Sequence, residues 1–171
     1  MLEYFDMTPI WLTFKLAFVT LIILMLISTP IAWWLANSSS RLRVVVESVV
    51  SLPLILPPTV LGFYLLILFN PSGFFGSFWL KITGTSLAFS FHGLVLASVI
   101  YSLPFVVQPI QSAFETIGKK PIETSYNLGA KPIDTFVNIV LPLAKRGYLT
   151  AGVLGFAHTL GEFGVVLMIG G

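Results

Sequence analysis

Residues 16–36 form a predominantly apolar stretch without a single charged side chain. A helix needs about 20 such residues to cross the hydrocarbon core of a bilayer. This stretch extends back to about residue 10, and three further apolar stretches cover about residues 44–69, 87–114 and 147–170. The pattern predicts an all-α, polytopic membrane helix bundle with four crossings, which forms one transmembrane domain over residues 1–171.

The composition excludes several other classes of protein. Charged residues make up 9% of the chain and apolar residues 56%, so intrinsic disorder is excluded. There is no cysteine, which excludes a disulfide scaffold and a cysteine-ligated metal site. A net charge of +2 gives no nucleic-acid footprint. The chain is expected to bind neither a metal nor a cofactor. Its apolar helices are expected to contact membrane lipid.

The positions of the basic residues predict the orientation in the membrane. Seven of the nine lie in two segments, after the first apolar stretch and between the third and fourth. Both segments fall on the same side if all four stretches cross. Because cytoplasmic loops carry the excess of Lys and Arg, these segments are predicted to be cytoplasmic. The N-terminus is then outside a multi-pass protein of the cell (inner) membrane.

Residues 115–146 form the one long polar segment, and they are predicted to contain two short helices. Pro121 suits a first helical turn, and Gly129 suits the left-handed residue that ends a helix. This predicts a helix over about residues 122–128. A second helix is expected to begin at Lys131-Pro132 and to stop near Leu141-Pro142. A proline ring clashes with the residue before it and so disfavours the α-helical backbone conformation of that residue. Its apolar face would comprise four residues at helical spacing: Ile133, Phe136, Val137 and Val140.

A helix of two turns is not stable alone in water, where even about 12–15 residues are marginal. The segment must therefore pack against its own membrane domain or dock on a soluble partner, and the residues leave both open.

The segment also resembles the cytoplasmic EAA loop of binding-protein-dependent ABC transport permeases. That pattern is Glu-Ala-Ala, three residues, Gly, nine residues, Ile, one residue, then Leu-Pro. Five positions match this pattern in register: Glu123, Gly129, Ile139, Leu141 and Pro142. The small residues Thr124 and Ser125 stand where the pattern has its two alanines. The resemblance implies that these residues couple the chain to an ATPase, with the small side chains allowing close docking.

Longer stretches look like the permease subunit of molybdate importers. They comprise residues 51–73, 93–115 and the LGEFG of residues 160–164. Sulfate permeases carry a similar GEFG, so residues 56–66 (LPPTVLGFYLL) are the main reason to favour molybdate. The implied fold is the MetI-like fold of type I importer permeases. Family members continue past the position of Gly171, so the chain is expected to lack the family's last helix.

The resemblance implies a mechanism and partners. Two permease subunits form the pathway as a homodimer, and two cytoplasmic ATP-binding subunits each receive one EAA-loop helix. ATP binding closes the ATPases and switches the pathway from inward-facing to outward-facing. A binding protein outside the cytoplasm delivers the oxyanion. The chain itself is not expected to be an enzyme, since it has no phosphate-binding G-x-x-x-x-G-K-[ST] motif.

Two features within the apolar stretches are candidates for the pathway or its gate. Pro57, Pro58 and Thr59 lie in the second stretch, where proline kinks a helix. The bend is either structural or part of a gate, with Ser51 and Thr59 available to bond the freed carbonyls. Glu162 lies in the fourth stretch, where a carboxylate is costly and functional or paired. It cannot attract an oxyanion, so a gate contact, an internal hydrogen bond or hydration at the interface remain its alternatives.

His158 lies four residues before Glu162 on the same helix face. The pair suits a proton relay, but an internal hydrogen bond of His158 is the favoured interpretation. Four glycines near it are expected to allow close helix packing: Gly152, Gly155, Gly161 and Gly164. Three functions remain as rivals: a sulfate or tungstate permease of the same family, a membrane enzyme, and a secondary transporter or non-ABC channel. A nearly complete lack of intramembrane charge disfavours the last.

Overall fold

The computed structural model describes residues 7–162 and residue 169. Within them the chain is helical and contains no β-strand. In chain order the elements are α1 (Thr8–Asn37), α2 (Leu42–Ile55), α3 (Pro58–Phe69), α4 (Phe74–Thr83), α5 (Phe91–Ile117), α6 (Lys120–Asn127), α7 (Pro132–Thr135), a π turn (Phe136–Val140) and α8 (Leu141–Leu160). The prediction of an all-α bundle is confirmed.

Two of these helices, α1 and α5, are each long and apolar enough to cross a membrane. They contain 30 and 27 residues and match the first and third predicted crossings. Helix α5 begins four residues later than predicted, because the hydroxyl of Ser90 accepts the N–H of Gly93 at 3.1 Å and caps the helix there.

The second predicted crossing, over residues 44–69, is not a single kinked helix, although its length and composition still allow one broken crossing. Helices α2 and α3 meet at an angle of 113°, as a broken crossing or a re-entrant loop. Leu56 and Pro57 both take extended ψ angles, of 133° and 139°. Each precedes a proline, which disfavours the helical region. Two successive prolines therefore break the helix where one would only have bent it.

Helix α4 was not predicted, and the fourth crossing was predicted with a different start. Helix α8 begins at Leu141, six residues before residue 147, and includes Lys145 and Arg146. It does not count among the described helices that are apolar enough to cross alone. The rest of the predicted crossing, including Phe163 and Gly164, lies outside the described residues except for Ile169. A crossing at this position therefore stays a prediction.

The core lies where α1, α5 and α8 pack together, with α5 at the centre. Val106, Val107 and Ile110 of α5 are fully buried there. Small residues bring α8 close to α5: a Cβ added to Gly147 would meet the Cβ of Ala113 and would lie 2.9 Å from the carbonyl oxygen of Pro109. Of the glycines expected to allow close packing, Gly155 also brings α8 close to α5, because an added Cβ would clash with the side chain of Val106.

A polar seam joins the start of α2 to the end of α5. The guanidinium of Arg43 pairs with the carboxylate of Glu115. The side-chain amide of Gln111 donates to Glu47 at 3.2 Å and to Glu115 at 3.1 Å. These contacts fix α2 against α5 even though few apolar side chains of α2 are buried.

Candidate functional site

The coupling segment, residues 115–146, is structured throughout. Its first helix, α6, begins two residues earlier than predicted and has Pro121 in its first turn, where the missing N–H costs nothing. Glu123 lies in the same turn, so its negative charge complements the helix dipole. The side chain of Glu123 is exposed and is therefore free to meet a partner as well.

The C-terminus of α6 is closed by a Schellman motif. Gly129 has a φ of +86°, the left-handed conformation predicted for it. The N–H of Ala130 bonds to the carbonyl of Ser125 at 3.0 Å, and that of Gly129 bonds to the carbonyl of Tyr126 at 2.9 Å. The chain can therefore reverse direction within three residues, which returns α7 beside α6.

The two small residues of the motif have different surroundings. Thr124 is exposed, and its hydroxyl donates to the carbonyl of Lys120 at 2.8 Å. Ser125 is only 4% exposed. Its hydroxyl donates to the carbonyl of Ile122 at 2.7 Å and lies 2.8 Å from the hydroxyl of the buried Thr135 on α7. Small size at Ser125 therefore allows close packing of α6 against α7, and its role in docking on a partner stays a prediction. Thr135 is a residue that the sequence reasoning missed.

The second helix begins at Pro132 as predicted, but the prediction that it stops at Leu141-Pro142 is wrong. Leu141 keeps helical φ and ψ angles of −59° and −47°, and its N–H bonds to the carbonyl of Phe136, five residues back. This wider π turn leads directly into α8, which has Pro142 in its first turn. The missing N–H of Pro142 does not end the helix because the π turn has already shifted the hydrogen-bond register.

The predicted apolar face of the second helix divides between two directions. Phe136 is half-buried and Val140 is fully buried against the apolar core of the helix bundle, whereas Ile133 and Val137 point outward. We call the outward set the docking face. It consists of apolar side chains that are between 45% and 83% exposed: Tyr126, Leu128, Ile133 and Val137. Of the remaining motif residues, Ile139 and Leu141 are half-buried and Pro142 is exposed.

The three pathway candidates of the second stretch all lie at the 113° bend. Pro57, Pro58 and Thr59 are exposed. The carbonyl of Pro57 accepts the N–H groups of Val60 and Leu61, and these bonds begin α3. Ser51 accepts a hydrogen bond from Gln108 of α5 at 3.3 Å.

Glu162, the remaining candidate, follows the end of α8 and is 4% exposed. Among the residues with described positions, neither of its carboxylate oxygens has a hydrogen-bond partner. Burial of this kind disfavours hydration at the membrane interface. Glu162 is far along the chain from the proline bend, and the two candidates lie on different elements.

His158 forms an internal hydrogen bond, as favoured from the sequence. Its Nδ1 lies 2.9 Å from the hydroxyl of Ser102 on α5, which lies 3.2 Å from that of Thr159. Thr159 donates to the carbonyl of Gly155 at 2.9 Å. The hydroxyl of Ser102 must then donate to Thr159 and accept from Nδ1–H of His158, since each hydroxyl has one proton. The imidazole stacks on Phe105, with ring centroids 3.7 Å apart.

This chain of hydrogen bonds predicts the effect of removing Ser102. In Ser102→Ala the Nδ1–H of His158 loses its acceptor, which is expected to lower the free energy of unfolding by about 1–3 kcal/mol. Denaturation of the purified chain in detergent measures this. Ser112→Ala is the control, since Ser112 is on the same helix and is exposed. Equal stability of the two variants would contradict the assignment.

Comparison with known proteins gives a consistent result. The family model described as "Binding-protein-dependent transport system inner membrane component" matches residues 28–171. The molybdenum transport system permease protein ModB of Azotobacter vinelandii is 57% identical over 166 residues, which are 97% of this chain and 74% of that protein. Proteins of the same name are 39% identical in Haemophilus influenzae and 38% in Escherichia coli, and each match covers 80% of this chain.

The chain spans 60% of the Haemophilus influenzae relative and 59% of the Escherichia coli relative. These proteins are named transport permeases, not enzymes. The resemblance and the MetI-like fold expected from the sequence are thereby confirmed. The chain belongs to the family of inner membrane components of binding-protein-dependent transport systems.

Proposed function

We propose that the chain is the membrane-spanning permease subunit of an ATP-driven molybdate importer. The observation that carries the proposal is the coupling segment. It presents an exposed apolar face on two short helices, while Ile122, Phe136 and Val140 pack against the core of the helix bundle. Exposed apolar surface of this kind marks an interaction site, and the named function of the relatives supports molybdate as the transported anion.

The ATP-binding subunit is expected to dock on α6 and the docking face. Glu123 and Thr124 of α6 are exposed and are therefore available for direct contact. Ser125 and Gly129 act indirectly, because they set the geometry of α6 against α7. Ile139, Leu141 and Pro142 would act through the π turn that joins the segment to α8.

We further propose the orientation and the assembly. The coupling segment lies in the cytoplasm, and the N-terminus lies outside the inner membrane. Two copies of the chain form the pathway, and an extracytoplasmic molybdate-binding protein delivers the anion. The bend at Pro57, Pro58 and Thr59 would line the pathway, and Glu162 would make a gate contact. No Lys or Arg lies between residues 44 and 80, which suits a conduit that must release its anion.

Uptake by reconstituted liposomes tests the proposal. Vesicles that contain the permease, its ATPase and the binding protein are expected to accumulate labelled molybdate only when ATP is present. The ATP must be in the compartment that the ATPase faces. Vesicles without the ATPase are the control. Anion uptake without the ATPase would remove the importer function and would favour a channel.

Competition by unlabelled tungstate and sulfate then identifies the anion. Tungstate resembles molybdate in size and charge and is expected to compete, whereas sulfate is expected to compete weakly. Strong competition by sulfate would reassign the chain to the sulfate permeases.

A further inference from the structure

Four aromatic rings from four elements meet where the coupling segment touches the membrane bundle. They are Trp33 of α1, Phe114 of α5, Phe136 of the π turn and Tyr148 of α8, and we call them the aromatic junction. Trp33 packs edge-on against Phe136, with centroids 5.3 Å apart, and against Phe114 at 5.2 Å. Phe114 lies 6.2 Å from Phe136 and 6.1 Å from Tyr148.

The π turn brings two of these rings into line. Phe136 and Tyr148 are twelve residues apart, and in a regular α-helix they would point about 120° away from each other. A π turn has the effect of one inserted residue, which reduces the difference to about 20°. Both rings can therefore contact Phe114 from one continuous helix.

The junction is also held firmly on the membrane side. The hydroxyl of Tyr148 donates to that of Thr29 on α1 at 3.0 Å. Phe114 is 4% exposed. Edge-to-face aromatic pairs have a preferred geometry, so a displacement of Phe136 would push directly on Trp33 and Phe114. Val137, the next residue, is 49% exposed and belongs to the docking face instead.

We propose that Phe136 is a positioning residue of the transport cycle, which passes movement of the coupling segment to α1 and α5 through its contacts with Trp33 and Phe114. The inference rests on the proposed function. It differs from a purely stabilising role, because it requires that docking and ATP hydrolysis continue when the contact is weakened while transport does not follow.

The test compares Phe136→Leu with Phe78→Leu, the same substitution at an exposed phenylalanine of α4 that lies outside the coupling segment and the aromatic junction. Both variants are reconstituted with the ATPase and the binding protein, and the number of anions transported per ATP hydrolysed is measured. We expect Phe136→Leu to lower this ratio about tenfold, as for the loss of an ordinary coupling free energy, while the ATPase still co-purifies. Phe78→Leu is expected to keep the ratio within about twofold.

A second readout follows the movement itself. The chain has no cysteine, so one cysteine introduced at Ser39 and, separately, one at Asn127 can each carry a fluorophore. Both positions are exposed, after α1 and at the end of α6. ATP is expected to change both signals in the parent chain. In Phe136→Leu the change at Asn127 persists and the change at Ser39 is lost.

Several results would overturn the proposal: an unchanged transport ratio in Phe136→Leu, loss of both signals, or loss of ATPase binding. Trp33→Phe probes the same contact from α1 if Phe136→Leu does not assemble, and it is expected to lower the ratio in the same way. Failure of the proposed function is distinguishable, because the parent chain would then show no ATP-dependent uptake at all.

Discussion

Ser125→Leu is expected to reduce ATP-driven uptake at least about tenfold while the membrane helices remain folded. The added side chain has no room between α6 and α7, where Ser125 is 4% exposed and bonded to Thr135. Overpacking costs about 1–3 kcal/mol, and the lost hydrogen bond costs about 1 kcal/mol more. Since α6 is too short to be stable alone, it should separate from α7 and lose its docking geometry.

Ser125→Ala is the matched control. Alanine fits the same space and is the residue of the EAA pattern, so uptake should stay within about twofold of the parent chain. Transport of labelled molybdate into proteoliposomes measures both variants, and circular dichroism checks that the helices are retained. Normal uptake by Ser125→Leu would show that α6 and α7 need not stay packed together.

Gly147→Val should cause the largest loss of stability, about 3 kcal/mol in the free energy of unfolding. A Cβ at this position would meet the Cβ of Ala113 and would lie 2.9 Å from the carbonyl oxygen of Pro109. Backbone cannot yield as a flexible side chain does, so α8 must move away from α5. The contact between α5 and α8 belongs to the core of the bundle, so separation of the two helices weakens the whole domain.

Gly152→Val on the same helix is the comparison. There a new Cβ would meet only the terminal methyl of Met25, at 3.2 Å, which can rotate away. Both changes have the same cost in helix propensity, so their difference reports packing alone. Urea or dodecyl-sulfate titration of the purified chain should show Gly152→Val within about 1 kcal/mol of the parent. Equal losses would contradict the close approach of α5 and α8 at Gly147.

Features that depend on local chemistry were predictable from the sequence. The long apolar stretch of residues 16–36 predicts most of α1, and Pro121 and Gly129 mark the first turn and the end of α6. The starts of the two short helices of the coupling segment were also predicted to within two residues. In these cases each residue acts through its own backbone or its nearest neighbours.

Features that depend on competition or on distant contacts were not predictable. Pro142 was expected to end a helix, but the π turn accommodates its missing N–H. Two prolines at the end of α2 were treated as one kink, although each acts on the residue before it. The partner of Ser125 is ten residues away and that of His158 is fifty-six residues away, and no spacing rule connects either pair.

The unbroken helical path from Pro132 through the π turn to Leu160 has a geometric consequence. From Phe136 to Leu160 the helix is about 36 Å long. If the aromatic junction acts as a pivot, a tilt of about 5° at the cytoplasmic end displaces the far end by about 3 Å. The helix is then a lever with a short arm at the docking face and a long arm that ends beside Glu162. A small displacement of the docking face would thus be enlarged at the end of α8, beside Glu162.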